Sequence, residues 1–234
     1  MGRRSASAKF MARAWVFPGG RVDDIDQERA AGLVVGDNDP AQLPWIAAAL
    51  RETVEEAGIW LTESPRVEFL GDRDVYRILD ESGEKFVADV AYFAHWVTPA
   101  DLPIRYDARF FATLVTADLN PIPDLHEIDD AVWVRPGDAI LRAQGQWLVP
   151  FPTHVTLEQL ARATSAAAFM EMTKDLAVET VQPRIKVEAD GSLRVVMPGE
   201  PDFDDLPEAS LNAGAVAEAA RIAKESGSRN AEFE

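Results

Sequence analysis

The chain has 234 residues, 47% hydrophobic and 27% charged, with 40 acidic against 23 basic side chains and a net charge of −17. That is enough apolar material for one sizeable core, and a field of that sign argues against general nucleic-acid binding. With no cysteine there are no disulfides, thiolate nucleophiles or cysteine zinc sites, and without an h-region or a run of 18 apolar residues no membrane association is expected and the cytoplasm is the expected compartment.

In chain order, "RAWVFPGGRV" (13–22) reads as a short apolar strand broken at Pro18-Gly19-Gly20. Residues 23–44 are acidic and turn-rich, and are expected to be a loop with a short helix near "QERAAGL". Residues 45–57 form a helix, with Gly58 as its C-cap. "EKFVADVAYFAHWVT" (84–98) is a strand with a bend, and "ARFFATLV" (108–115) is another. "DDAVWVRPGDAI" (129–140) runs from strand through turn to helix. "TLEQLARATSAAAFMEMTKDLA" (156–177) reads as one helix, opened by a capping box of Thr156 and Gln159. "RIKVEADGSLRVVMPG" (184–199) is a hairpin turning at Asp190-Gly191. An alanine-rich helix and a polar, frayed end follow from about residue 205. The irregular mixture of strands and helices predicts a mixed sheet with helices on its faces, an α+β fold.

The helix at 45–57 carries the chemistry. At roughly 100° per residue, Ile46, Leu50, Val54 and Ala57 share one side. Glu52, Glu55 and Glu56 cluster almost opposite. On its own this is a solvated acidic face, with Arg51 paired to Glu55 at i,i+4. Three carboxylates within about 6 Å, however, repel by a few kcal/mol at an effective dielectric near 20. A divalent cation relieves that, and hard cations prefer such oxygen ligands.

"FPGG" upstream and "RETVEEAGI" (51–59) together resemble the Nudix box, G-x5-E-x7-R-E-U-x-E-E-x-G-U with U aliphatic. Gly20 fills the first position, Asp26 stands where the pattern has Glu, and Thr53 takes the first U. The seven-residue spacer becomes residues 27–50, so the box is split by an insertion, placed at about 27–44. That split is similar to the coenzyme A diphosphatase-like Nudix subgroup. "FAHWVTP", "RYDARFFATL", "HEIDDAVWVRPGDAI" and "LVPFPTHVTLEQL" resemble it too, over about residues 3–200. Arg4-Ser5, Lys9 and Arg13 ahead of "FPGG" resemble the subgroup's R-[SA]-x3-R-x3-G-x3-FPGG, with Lys9 for Arg and Arg13 for Gly. The strand that normally precedes this motif has almost no room here.

The resemblance implies a Nudix-type α/β/α sandwich over residues 1–204, with 205–234 as a C-terminal helix and tail. It implies metal-dependent hydrolysis, with Mg²⁺ or Mn²⁺, of a nucleoside diphosphate linked to another moiety. Coenzyme A or acyl-coenzyme A leads; NADH, ADP-ribose and dinucleoside polyphosphates are the alternatives. Glu55 and Glu56 would be principal metal ligands, Glu52 a further ligand or the base, and the Gly20 carbonyl a ligand. Arg51 would hold a glutamate in place. Glu127 is a further ligand or base, or a solvated loop residue. Arg4 and Lys9 are expected at the substrate. Arg105 and Arg109 meet phosphate or serve the surface. A homodimer is expected, since many relatives dimerise. A different class, a Nudix-fold sensor that binds nucleotide without cleaving it, would usually have lost box glutamates.

Phe110 and Phe111 read as core and sheet-facing residues. The three histidines, His95, His126 and His154, show no zinc-site spacing and read as structural or surface residues. Neither G-x-S-x-G nor a P-loop is present.

Overall fold

The computed structural model describes residues 1–102, 104–190 and 192–209. The chain runs through β1 (Gly2–Arg4), β2 (Trp15–Val16), α1 (Asp24–Leu33), β3 (Val34–Val35), a 3-10 turn at Pro40–Gln42 and α2 (Leu43–Ala57). Next come β4 (Ile59–Trp60), β5 (Arg66–Val67), α3 (Val75–Ser82), β6 (Phe86–Val87), β7 (Val90–Val97) and β8 (Asp107–Thr113). Then β9 (Ile128–Ala131), α4 (Pro136–Ala143), α5 (Phe151–Ala161), α6 (Ala166–Thr173), β10 (Thr180–Val181), β11 (Arg184–Val187) and β12 (Leu193–Val196). The alanine-rich helix expected beyond 205 falls, from residue 210 on, outside the described residues, as does Gly191 of the hairpin turn. Among the described residues no helix is long and apolar enough to cross a membrane.

The chain divides into two compact units, Met1–Tyr92 with Phe111–Asp175, and Phe93–Phe110 with Leu176 onward. In the first, β1 lies between β2 and β9, antiparallel to both. Gly2–Arg4 therefore supply a strand where the sequence seemed to leave no room. Gly2 opens it at a close approach, where a Cβ would press on the buried Ile128 side chain at 2.9 Å. Around this sheet, β3 pairs parallel with β6 and β4 antiparallel with β5.

Helix α2 forms as its pattern predicts. Pro44 sits in the first turn, where its missing N–H costs nothing. Gly58 ends the helix in the left-handed region at φ 67°, and its N–H bonds the Val54 carbonyl at 2.8 Å. Ile46, Leu50, Val54 and Ala57 are all buried, in one core with Trp60, Leu79 and Phe86. A second cluster stacks Trp15 on Trp147, ring centroids 4.0 Å apart, over Leu157.

Two local expectations are corrected. The short helix expected near "QERAAGL" is present as α1 but starts earlier, at Asp24, and its first turn is closed by the Asp26 carboxylate, which accepts the Asp23 N–H at 2.8 Å. The segment 156–177 is two helices. Thr156 lies inside α5, its hydroxyl turned back to the Pro152 carbonyl at 2.7 Å, so it caps nothing. Ser165 is the true cap, accepting the Ala168 N–H and opening α6.

In the second unit the order is β10-β7-β8, with β10 parallel to β7. β11 and β12 make the expected antiparallel hairpin. Phe110 meets Phe93 edge-on there, whereas Phe111 in the first unit packs on Tyr92 and the core. His95 bonds Asp107 at 2.5 Å and Thr180 at 2.9 Å, His154 lies beside Glu158, and His126 is exposed.

Candidate active site

Arg51 is the hub. It is 7% exposed and has five acceptors within reach. Its Nε and Nη2 each bond one oxygen of Asp26 at 3.0 Å. Nη2 also donates to the Arg21 carbonyl at 2.9 Å. Nη1 donates to Glu52 at 2.9 Å and to Glu55 at 2.6 Å. The fork geometry uses nearly every donor, which a lysine would not do. Burial alone would lower the Arg51 pKa, but these carboxylates raise it above the ordinary range.

Asp26, fully buried, is the far half of that pairing. It accepts the Tyr76 hydroxyl from α3 as well. Burial alone would raise its pKa; the bonds from Arg51 and Tyr76 hold it below the usual carboxylate value. Helix α1 packs along α2 and carries Asp26 on its first turn. The inserted residues thus fold away as a helix, a short strand and a turn, and the two halves of the split box still meet.

Glu56 is 5% exposed and accepts the Gly19 N–H at 3.0 Å. Burial pushes its pKa up to about 8, and the charges of Glu52, Glu127 and Asp124 add to the shift. Burial likewise pushes Glu52 up to about 7, against the pull of Arg51. Glu55 is raised by burial too, with Arg51 again opposing. The acidic face of α2 is therefore only partly solvated: the turn at Gly19 and Gly20 lies against Glu56 and Glu52, while the Glu55 side chain stays 36% exposed. A Cβ on Gly20 would come within 2.2 Å of Glu52 Oε1, so any larger residue there displaces that carboxylate.

The donor set is all oxygen and carries more negative charge than Arg51 offsets, and a hard divalent cation suits both features. The residues fit such an ion by chemistry. In the described arrangement Glu52 and Glu55 are drawn to Arg51, and among the described residues no three carboxylates or histidines converge as a finished metal centre.

Glu127 is exposed on the loop before β9, near enough for its charge to act on Glu52 and Glu56. Asp124 shapes that loop, accepting the N–H groups of His126, Glu127 and Ile128 at 3.2, 2.9 and 2.8 Å. The Glu127 carbonyl accepts the Ser5 N–H at 2.8 Å, which ties the loop to the N-terminal segment. There Arg4 is half-buried, with its Nε enclosed and unpartnered, and Lys9 is exposed. Arg13, standing where the motif has glycine, keeps the glycine-type backbone at φ 66° and bonds Asp129 at 3.0 Å. Arg105 (exposed) and Arg109 (half-buried) belong to the second unit.

An apolar cavity of about 270 Å³ opens beside Glu56, lined in part by Phe17, Ile46, Leu50, Phe111 and Leu160. Sequence reasoning did not assign roles to Asp26, Tyr76 or Asp124. Asp26 had a signal, six positions after Gly20; Tyr76 had none, being 50 residues from its partner.

The NUDIX domain family profile matches residues 1–151. A Caenorhabditis elegans protein named "Putative nudix hydrolase 7" is 29% identical over 176 residues, covering 68% of this chain and 54% of its own length. The chain thus spans about half the length of that curated relative. The crystal structure of a NUDIX hydrolase from Alicyclobacillus acidocaldarius superposes with a TM-score of 0.56 at 26% identity. It covers 73% of this chain and 86% of its own. The α+β architecture is therefore the Nudix fold, as the split box implied.

Proposed function

The chain belongs to the NUDIX domain family, and from that premise we propose that it hydrolyses a nucleoside diphosphate linked to another moiety, with Mg²⁺ or Mn²⁺ as cofactor. The observation that carries this reading is the Arg51 hub, which ties Asp26 to Glu52 and Glu55 on the helix that also presents Glu56. Glu52, Glu55 and Glu56, with the Gly20 carbonyl, would hold the ions. When bound, they neutralise the diphosphate oxygens and acidify a water.

The chain's own residues do the rest. Arg51 orients two of the glutamates and stays charged, so it does not titrate during turnover. Glu127, or Glu52, accepts the water's proton at a carboxylate oxygen. Arg4 and Lys9 supply positive charge to the substrate in a chain of net charge −17.

The favoured substrate is coenzyme A or acyl-coenzyme A, cut to an adenosine bisphosphate and a phosphopantetheine product. The split box and the Arg4-to-Phe17 spacing support it, and the apolar cavity beside Glu56 offers room for an uncharged chain. NADH, ADP-ribose and dinucleoside polyphosphates are the competing diphosphates. A sensor that binds without cleaving is the second reading, favoured by the unconverged carboxylates. The reading leaves Arg105 and Arg109 without a role. It takes the protein as a homodimer on the resemblance and as cytoplasmic from the absence of an h-region or apolar span in the sequence.

A substrate panel with Mg²⁺ or Mn²⁺ and mass analysis of products tests this. Cleavage at the diphosphate supports the enzyme; tight nucleotide binding with no product supports the sensor.

A further inference from the structure

We propose that Tyr76, outside the box and outside the insertion, is a positioning residue for the carboxylate cluster. The inference rests on the hydrolase reading above. Asp74 caps α3 by accepting the Arg77 N–H at 2.7 Å, and the first turn then buries Val75, Tyr76 and, one turn on, Leu79. Tyr76 is 3% exposed, and its hydroxyl donates to Asp26 Oδ1.

With that bond, Asp26 has no free orientation. Oδ1 takes Tyr76 and Arg51 Nε, while Oδ2 takes Arg51 Nη2 and the Asp23 N–H. A carboxylate fixed at both oxygens fixes the plane of the guanidinium paired to it. That leaves Nη1 aimed at Glu52 and Glu55. Tyr76 thus acts three bonds away from the glutamates, through Asp26 and Arg51. Outer partners of this kind typically change metal affinity or activity about 10–100-fold when removed.

The same tyrosine also has a structural neighbour, which makes the two roles separable. Arg29 on α1 lies over the Tyr76 ring, 5.6 Å from its centroid, and pairs with Asp80 on α3. Arg29 fastens α1 to α3 without touching Asp26 or Arg51.

The test compares Tyr76→Phe with Arg29→Met in the full chain. Free Mn²⁺ is titrated by electron paramagnetic resonance without substrate, and kcat and KM are measured on the best diphosphate of the panel. Tyr76→Phe is expected to bind Mn²⁺ about 10-fold more weakly and to lose kcat rather than KM. Arg29→Met is expected to melt earlier with Mn²⁺ affinity unchanged. Wild-type Mn²⁺ affinity and kcat in Tyr76→Phe overturn the proposal, as does equal weakening in both variants, which marks a general structural effect. A wild-type chain that binds no Mn²⁺ and cleaves nothing overturns the hydrolase reading itself, and this inference with it.

Discussion

Arg51 and Asp26 meet through two parallel hydrogen bonds of 3.0 Å although 25 positions of chain, most of them inserted into the box, separate them. The insertion is accommodated because α1 packs back along α2 and returns Asp26 to the guanidinium.

Removing the Asp26 charge leaves Arg51 only Glu52 and Glu55 as hydrogen-bonded counter-charges, at a cost of up to about 3 kcal/mol. Asp26→Asn should therefore melt well below wild type at neutral pH. The sign of the pH dependence follows from the depressed folded-state pKa of Asp26, set below its ordinary 3.8 by the Arg51 and Tyr76 bonds that outweigh burial. Its contribution is whole above that ordinary value and is lost as pH falls through the folded one. Thermal melts between pH 7 and 2 should show wild type converging on the variant at the acid end. Parallel curves would contradict this.

Glu56→Gln keeps volume and the Gly19 contact but removes the group's capacity to ionise and ligate a metal. Turnover should fall by at least about 100-fold, the scale of a lost general base or essential ligand. Metal-free stability should hold or rise, since a buried carboxylate is costly. Turnover near wild type at saturating metal would remove Glu56 from the ligand set.

Gly20→Ala places a methyl 2.2 Å from Glu52 Oε1. Gly20 is exposed, so the fold should tolerate the change while Glu52 is displaced. Activity should drop about 10-fold or more with little change in melting temperature. A large loss of stability instead would mean that the turn, not the carboxylate, is the sensitive partner.

Arg13 holds a left-handed backbone that costs a non-glycine residue about 1 kcal/mol. Its ion pair to Asp129 is exposed and worth little. Arg13→Gly should be more stable than Arg13→Ala by about 1 kcal/mol in denaturant melts. The reverse order would mean the loop relaxes out of φ 66° in solution.

How much was legible follows from how local each signal is. Helix α2 announced itself by a regular apolar stripe, a proline in its first turn and a glycine after its last. The strands at 90–97 and 107–113 had β-rich runs of ordinary length. Helix α1 announced itself only in part: "QERAAGL" showed its latter half, but Ala30 and Leu33 are its only buried apolar residues, and the first turn is held by a buried aspartate that gives no apolar signal. The break between α5 and α6 was hidden because Thr156-Gln159 imitates a cap, while Ser165 gives the same chemistry nine residues later. The helical wheel separated the glutamates from the core but could not reveal that the turn at Gly19 and Gly20 lies against Glu56 and Glu52. The Tyr76 link is a tertiary contact with no periodicity to betray it.

The central claim is that Glu52, Glu55 and Glu56 gather divalent ions on a diphosphate. The direct measurement is a crystal structure of the chain soaked with Mn²⁺ and a non-hydrolysable nucleoside diphosphate analogue, read by anomalous scattering. The account predicts an anomalous peak within coordination distance of those carboxylates, with Glu52 and Glu55 swung from Arg51 toward it. A bound analogue with no peak beside any of the three side chains would contradict it.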